Sequence, residues 1–260
     1  MTVAVATASE VPRRELLWTL VERQLRLRTK RSVLGVVWPV VAPLFLLALY
    51  TFVFGSVFDA PIDRYGIYLF AGLLPWTFLV QSVHDALQSI SFEPDLVRRA
   101  PFPYELLPLS RVVVLALPFV LVLAGFVGWV ALADDLRLAM LPLLAVAVAA
   151  LVLLVATLAM LLALVDVFNR DIRQVLNNLL TVWFFLVPIV YSGRMAGDRL
   201  EAVRALDPMG HVVGLFRQVL YVGRVTSWTP WLVTPLLCGA AFTAGLAVFR
   251  RLAVDLAKDV

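Results

Sequence analysis

Long uncharged runs dominate the pattern of hydrophobic and polar positions. Six stretches of 20 residues or more contain no Asp, Glu, Lys or Arg: Ser32 to Phe58, Tyr65 to His84, Val112 to Ala133, Leu138 to Val165, Gln174 to Gly193 and Val225 to Phe249. No other gap between charges reaches ten residues. A helix needs about 20 mostly apolar residues to cross the hydrocarbon core of a bilayer, so each run predicts one span. The runs are too long, and alternate too little, for the strands of an outer-membrane barrel. The expected fold is all-α integral membrane, with six transmembrane helices over 36–58, 65–84, 109–133, 138–168, 174–192 and 229–249.

Three segments outside the runs have patterns of their own. Ser9 to Arg31 reads as an amphipathic interface helix, so residues 1–31 separate from the membrane domain at 32–260. Leu17, Trp18, Val21 and Leu25 fall on one side of it, with Arg23, Arg26 and Lys30 opposite and Arg14 and Arg28 interrupting the apolar face. Such a helix lies in the headgroup layer, drawn there by anionic lipid; the simpler alternative is a solvated basic flank that only fixes topology. Between spans two and three, Glu93-Pro94-Asp95 reads as a helix start, with carboxylates at the positive end of the dipole. Arg98 and Arg99 follow, and Pro101 and Pro103 end the short helix, about 93–100. A stiff helix bracketed in this way suits contact with a protein partner, and a plain Pro-rich connector is the competing reading. The third segment, 195–224, contains Asp207-Pro208 as N-cap and first helical residue ahead of an apolar run. Two half-helices entering and leaving the same leaflet fit it, and so does a surface loop carrying one amphipathic helix.

Composition agrees with membrane insertion. Of the 260 residues 62% are hydrophobic and only 15% charged, against roughly 25% charged in a soluble domain. The net charge of +4 is unevenly placed. With six spans, the side holding both termini carries 15 Lys and Arg and the opposite side seven, so both termini are expected in the cytoplasm. Met1 to Ser9 has no basic residue, so no cleavable signal is expected and the first span serves as the insertion signal. Arg outnumbers Lys 20 to 2, which points to a GC-rich bacterial gene. Cys238 is alone in an apolar run and reads as an inert buried thiol.

Several chemistries are excluded. The two lysines, Lys30 and Lys258, follow no G-x-x-x-x-G, so the chain builds no P-loop and does not hydrolyse ATP by itself. His84 and His211 stand apart from any Cys/His cluster, and no G-x-S-x-G is present. An enzyme acting on lipid-linked sugars would have to use Asp134, Asp135 and His211, which are scattered. Ion coupling needs ionisable groups at mid-membrane, and the six runs, defined by the absence of Asp, Glu, Lys and Arg, supply no such charge, which disfavours proton or sodium coupling. They are rich instead in aromatic residues, whose faces suit the C–H faces of sugar rings. Membrane-belt and packing roles explain any one of them equally well. Nothing in the pattern suggests nucleic-acid binding.

Specific residues resemble a known family. Lys30-Arg31-Ser32-Val33-Leu34-Gly35-Val36-Val37-Trp38, with Pro43 five residues on, resembles the K-R-S-x-L-G-x-x-W-x-x-x-x-P signature of ABC-type polysaccharide-export permeases. The likeness continues in order through Pro103, Leu107-Pro108-Leu109-Ser110, Arg170-Asp171-Ile172-Arg173, Pro188-Ile189-Val190-Tyr191, Asp207-Pro208-Met209 and Phe216-Arg217. Asp207 replaces the Asn expected before Pro-Met, and both residues cap helices.

The resemblance implies the membrane subunit of an exporter in the bacterial inner membrane. It would work as a homodimer with two separate ATPase subunits, moving a lipid-linked polysaccharide of O-antigen, teichoic-acid or galactan type. The chain would bind no cofactor, since ATP and Mg would sit on the partner. Glu93, Asp95, Arg98, Arg99, Pro101 and Pro103 would form the coupling helix that docks on the ATPase, flanked by Arg23, Arg26, Lys30 and Arg31 of the interface helix. Trp38, Phe45, Trp183, Phe184 and Tyr191 would line the glycan path, and Arg170 and Asp171 would either pair at the cytoplasmic end of spans four and five or serve as helix caps there, the two roles being equally supported. Re-entrant helices would precede the last span. A type-2 ABC permease exporting a small drug or lipid is the alternative.

Overall fold

The computed structural model describes residues 12–31, 41, 44–46, 48–49, 52–53, 62–93, 102–132, 137–191 and 205–259. The described residues are helical: α1 Arg13–Arg31, α2 Tyr65–Leu87, α3 Leu106–Leu132, α4 Leu141–Phe168 after a 3₁₀ turn at Leu138–Met140, α5 Ile172–Leu186, α6 Pro208–Arg217 continued by a π-helical turn at Gln218–Val222, and α7 Thr229–Asp259. Four of the expected spans, α2, α3, α4 and Thr229–Ala253 of α7, are single helices long and apolar enough to cross a membrane. Trp38, the bulk of the first span, residues 94–101 (with Asp95, Arg98, Arg99 and Pro101) and the first half of the 195–224 segment lie outside the described residues.

Burial separates the helices by role. The apolar window of α2 is 78% buried and that of α7 only 22%, so α2 is the central post and α7 the outer wall. Around α2 the core gathers Phe70, Phe78, Phe119 and Phe126 with Leu151, Leu215 and Phe216. Along α4, Ala147, Ala150, Ala159 and Ala163 are fully buried. Small side chains let helix backbones approach closely without a hydrophobic drive between them, which is how helices associate in lipid. Opposite them, a Cβ on Gly245 of α7 would stand 3.0 Å from Thr157 Cγ2, so any larger residue at 245 would crowd the contact between α7 and α4.

The fifth expected span, 174–192, is an α-helix only from Ile172 to Leu186. At about 1.5 Å per residue it falls well short of a hydrocarbon core of about 30 Å. Pro188 is the cause: it supplies no N–H and pushes the preceding residue out of the helical region, and Val187 is extended at φ −69°, ψ 123°. The carbonyls that leave the helix are captured by side chains. Pro188 O and Ile189 O accept from Arg217 at 2.6 and 2.7 Å, Val190 O from Tyr65 at 3.0 Å and Tyr191 O from Tyr68 at 2.7 Å. Protein donors thus satisfy the carbonyls that the end of the helix leaves unpaired.

Candidate functional site

The helix ends divide the molecule into a charged pole and a tyrosine-rich pole. At the charged pole α1 lies across the ends of α2 and α3. The stripe Leu17, Leu20, Val21, Gln24 and Arg28 faces inward, with Leu20, Val21 and Gln24 buried. Leu20 joins a second core with Ile90, Tyr104, Leu107, Met160 and Phe249. Trp18, expected on the apolar face, is 49% exposed instead. The buried stripe runs at i, i+3, i+4, i+7 and leaves Trp18 to one side, because the helix packs on protein through its Leu20 edge.

Polar contacts fasten this arrangement. Gln24 Nε2 donates to Ser110 Oγ at 2.7 Å, and Arg28 Nη2 lies 2.6 Å from Asp85 Oδ2. Arg23 Nη2 donates to both oxygens of Glu93 at 2.8 and 2.9 Å. Arg26 is exposed and pairs with Glu22 along α1 at 3.5 Å. Arg250 of α7 reaches Glu105 at 3.0 Å. Behind them Asp166, completely buried at the end of α4, takes Arg173 Nε and Nη2 at 2.5 and 2.8 Å and Ser91 Oγ at 2.7 Å. Arg170 and Asp171 are exposed, so the ion pair expected between them is made one turn away, by Arg173 with Asp166. Asp171 N instead accepts a turn role, donating to Asn169 Oδ1 at 2.9 Å.

Between α2 and α5 an open cleft of about 400 Å³ is lined by Leu46, Leu73, Trp76, Thr77, Val80, Gln81, His84, Asn177, Leu180, Thr181 and Phe184. Thr77, Gln81 and His84 are spaced i, i+4, i+7 on one side, and Asn177 and Thr181 are spaced i, i+4 on the other. Trp76 and Phe184 form an aromatic wall with ring centroids 5.6 Å apart. The lining carries amides, hydroxyls and an imidazole, both donors and acceptors, and no Asp, Glu, Lys or Arg.

At the opposite pole Arg217 anchors α6. Its guanidinium donates to the Pro188 and Ile189 carbonyls and lies 3.7 Å from the Tyr68 ring centroid. Burial pushes it down to about 10, so it remains protonated at neutral pH. Asp207 caps α6 as its pattern predicts, accepting from Met209 N and Gly210 N at 3.1 and 3.0 Å.

The residues expected to line a path are only partly brought together. Phe184 lines the cleft. Trp183 is turned away from it, donating Nε1–H to Asp207 Oδ1 at 2.9 Å and standing edge-on to Trp76 at 5.7 Å. Tyr191 donates its hydroxyl to Phe185 O at 2.6 Å. Phe45 is 65% exposed and is not among the cleft lining. Of the coupling residues, Glu93 is held by Arg23, and Pro103 O accepts from Leu106 N at the start of α3. Lys30 and Arg31 belong to the last turn of α1, and their side chains lie outside the description. Reading aromatic residues alone missed Gln81, His84, Asn177 and Thr181, whose helical spacing within otherwise apolar runs was the available signal.

An exposed pair such as Arg23–Glu93 is worth up to about 1 kcal/mol. Arg23→Glu is expected to set two carboxylates against each other and loosen α1. Trypsin cleavage after α1 residues in the solubilised protein should then speed up several-fold, and Arg23→Glu with Glu93→Arg should restore the original rate. Equal rates in all three proteins would show that the pair does not hold α1.

The pattern of the ABC-2 type transporter family matches residues 15–221. The chain is 30% identical, over 260 residues, to the O-antigen export system permease protein RfbA of Myxococcus xanthus, covering 95% of this chain and 96% of that protein. Two proteins of the same name from Klebsiella pneumoniae are 23% and 24% identical over 241 and 243 residues, each covering 92% of both chains.

Proposed function

The chain belongs to the ABC-2 type transporter family, and we propose that it is the permease subunit of an ATP-driven exporter moving a lipid-linked polysaccharide out of the bacterial cytoplasm across the inner membrane. Two copies would form the path, and two separate nucleotide-binding subunits, carrying ATP and Mg, would drive it. Both termini and the charged pole then face the cytoplasm, where residues 93–100 meet the ATPase. The permease contributes a path and a coupling surface and no covalent chemistry.

The observation that carries the glycan reading is the α2–α5 cleft. A sugar chain presents hydroxyl edges and apolar C–H faces, and the cleft offers amide and hydroxyl partners beside Trp76 and Phe184. A drug-sized amphiphile calls for a concave pocket that closes around most of its surface. Here five hydrogen-bonding side chains lie along an open groove, which suits a polymer that must slide. The relatives named as O-antigen export permeases support the same substrate class. The test is expression in a bacterium whose own O-antigen permease gene is deleted, with and without a cognate ATPase subunit. Surface polysaccharide is expected only when both are present. Drug resistance without surface polymer would favour the small-molecule alternative.

A further inference from the structure

We propose that Asp166 and Arg173 form a positioning joint that passes movement of residues 91–93 to α5; this rests on the reading of the chain as an ATP-driven permease. Asp166 is the one charged residue of α4, and it is completely buried. A carboxylate at the end of so apolar a helix is costly unless paired, and an apolar side chain would fill the same place without a partner. The pairing is directional as well as attractive. Arg173 grips the two oxygens through Nε and Nη2, and Ser91 Oγ shares the second oxygen at 2.7 Å.

Three consecutive residues each hold a different helix. Ser91 holds α4 through Asp166, Phe92 lies 5.9 Å under the Arg173 guanidinium of α5, and Glu93 holds α1 through Arg23. These residues lead directly into 94–100, the segment assigned to ATPase contact. On the other side of the joint, Arg173 stands in the first turn of α5, and Asn177, Thr181 and Phe184 follow at i+4, i+8 and i+11 on the same face, lining the cleft. The turn between α4 and α5 is only Asn169–Asp171, pinned by Asp171 N to Asn169 Oδ1. Movement of residues 91–93 therefore reaches α5 directly through Phe92 and, through the last turn of α4, by way of Asp166 and Arg173; it tilts α5 about that turn and moves one wall of the cleft, while the rest of α4 stays packed on α7.

The test uses the permease assembled with its ATPase, reconstituted in lipid, in a Cys238→Ala background with an environment-sensitive fluorophore at Asn178→Cys, an exposed position of α5 outside the cleft lining. In the parent protein, ATP with vanadate is expected to shift the emission. Asp166→Asn, which keeps the volume of the side chain but removes its charge and turns one acceptor oxygen into an amide donor, is expected to abolish that shift. Polymer export should fall about tenfold, within the usual range of a coupling between sites, while ATP hydrolysis changes by no more than about twofold. Ser91→Ala, which leaves the ion pair intact, should give a smaller loss of the same kind and keeps the test decisive if Asp166→Asn does not assemble. A full emission shift and parental export in Ser91→Ala and Asp166→Asn would overturn the joint. So would export and hydrolysis falling together in proportion to the assembled protein. Failure of the parent pair to export any polymer would instead overturn the functional reading beneath it.

Discussion

Arg217→Ala is expected to destabilise the protein by roughly 3–5 kcal/mol, because it strands two carbonyls that no other charged donor reaches among the described residues. The affected groups are Pro188 O and Ile189 O, at 2.6 and 2.7 Å from the guanidinium. They belong to the stretch where Pro188 has already ended α5, so no helical N–H stands ready to replace the lost donors. Tyr68 loses its cation–π partner at the same time. The site is built to this shape: a Cβ at residue 72 would stand 3.1 Å from Arg217 Nη2, which makes Gly72 the space through which the guanidinium reaches α5. Arg217→Lys keeps the charge but not the planar fork, and should recover only part of the loss. Thermal unfolding in detergent is the measurement. A fall in Tm of roughly 10 °C for the alanine variant is expected, and a change within the error of the assay would show that other donors satisfy these carbonyls.

The second large effect concerns transport. Gln81→Leu combined with Asn177→Leu removes one cleft-lining amide from α2 and one from α5 and puts apolar side chains in their place. Each neutral hydrogen bond to a sliding sugar is worth about 1 kcal/mol, so their joint loss is expected to lower export about tenfold or more. Assembly with the ATPase should be unaffected, since both positions lie on the cleft and not on the charged pole. Surface polysaccharide, normalised to the permease present, reads the effect. Unimpaired export in the double variant would place the glycan elsewhere on the molecule.

Span positions were legible because a bilayer imposes one simple demand, a charge-free run of sufficient length, and α2, α3, α4 and α7 meet it with little ambiguity. The Asp207-Pro208 helix start was legible for a local reason, since cap and first turn are set by adjacent residues. The early end of α5 was less so. Pro188 marks the break, but the backbone beyond it depends on Tyr65, Tyr68 and Arg217, which lie more than 25 residues away in sequence. Charge pairing followed the same divide. Arg170 and Asp171 invite pairing by adjacency, yet neighbours on a helix start do not face each other, and Asp166 lies one turn back on the side Arg173 can reach. Trp18 and Trp183 show that an aromatic ring on a helix does not announce its face. Tertiary packing turned the first outward and the second toward a helix cap.

The central claim is that this chain provides a glycan path driven by a separate ATPase. Inverted membrane vesicles containing the permease and its ATPase, loaded with radiolabelled lipid-linked polysaccharide on the outer face, test it most directly. ATP-dependent transfer of polymer into the vesicle lumen is expected, abolished when the ATPase is omitted or its nucleotide site is inactivated. Transfer that proceeds at the same rate with the permease alone would contradict it.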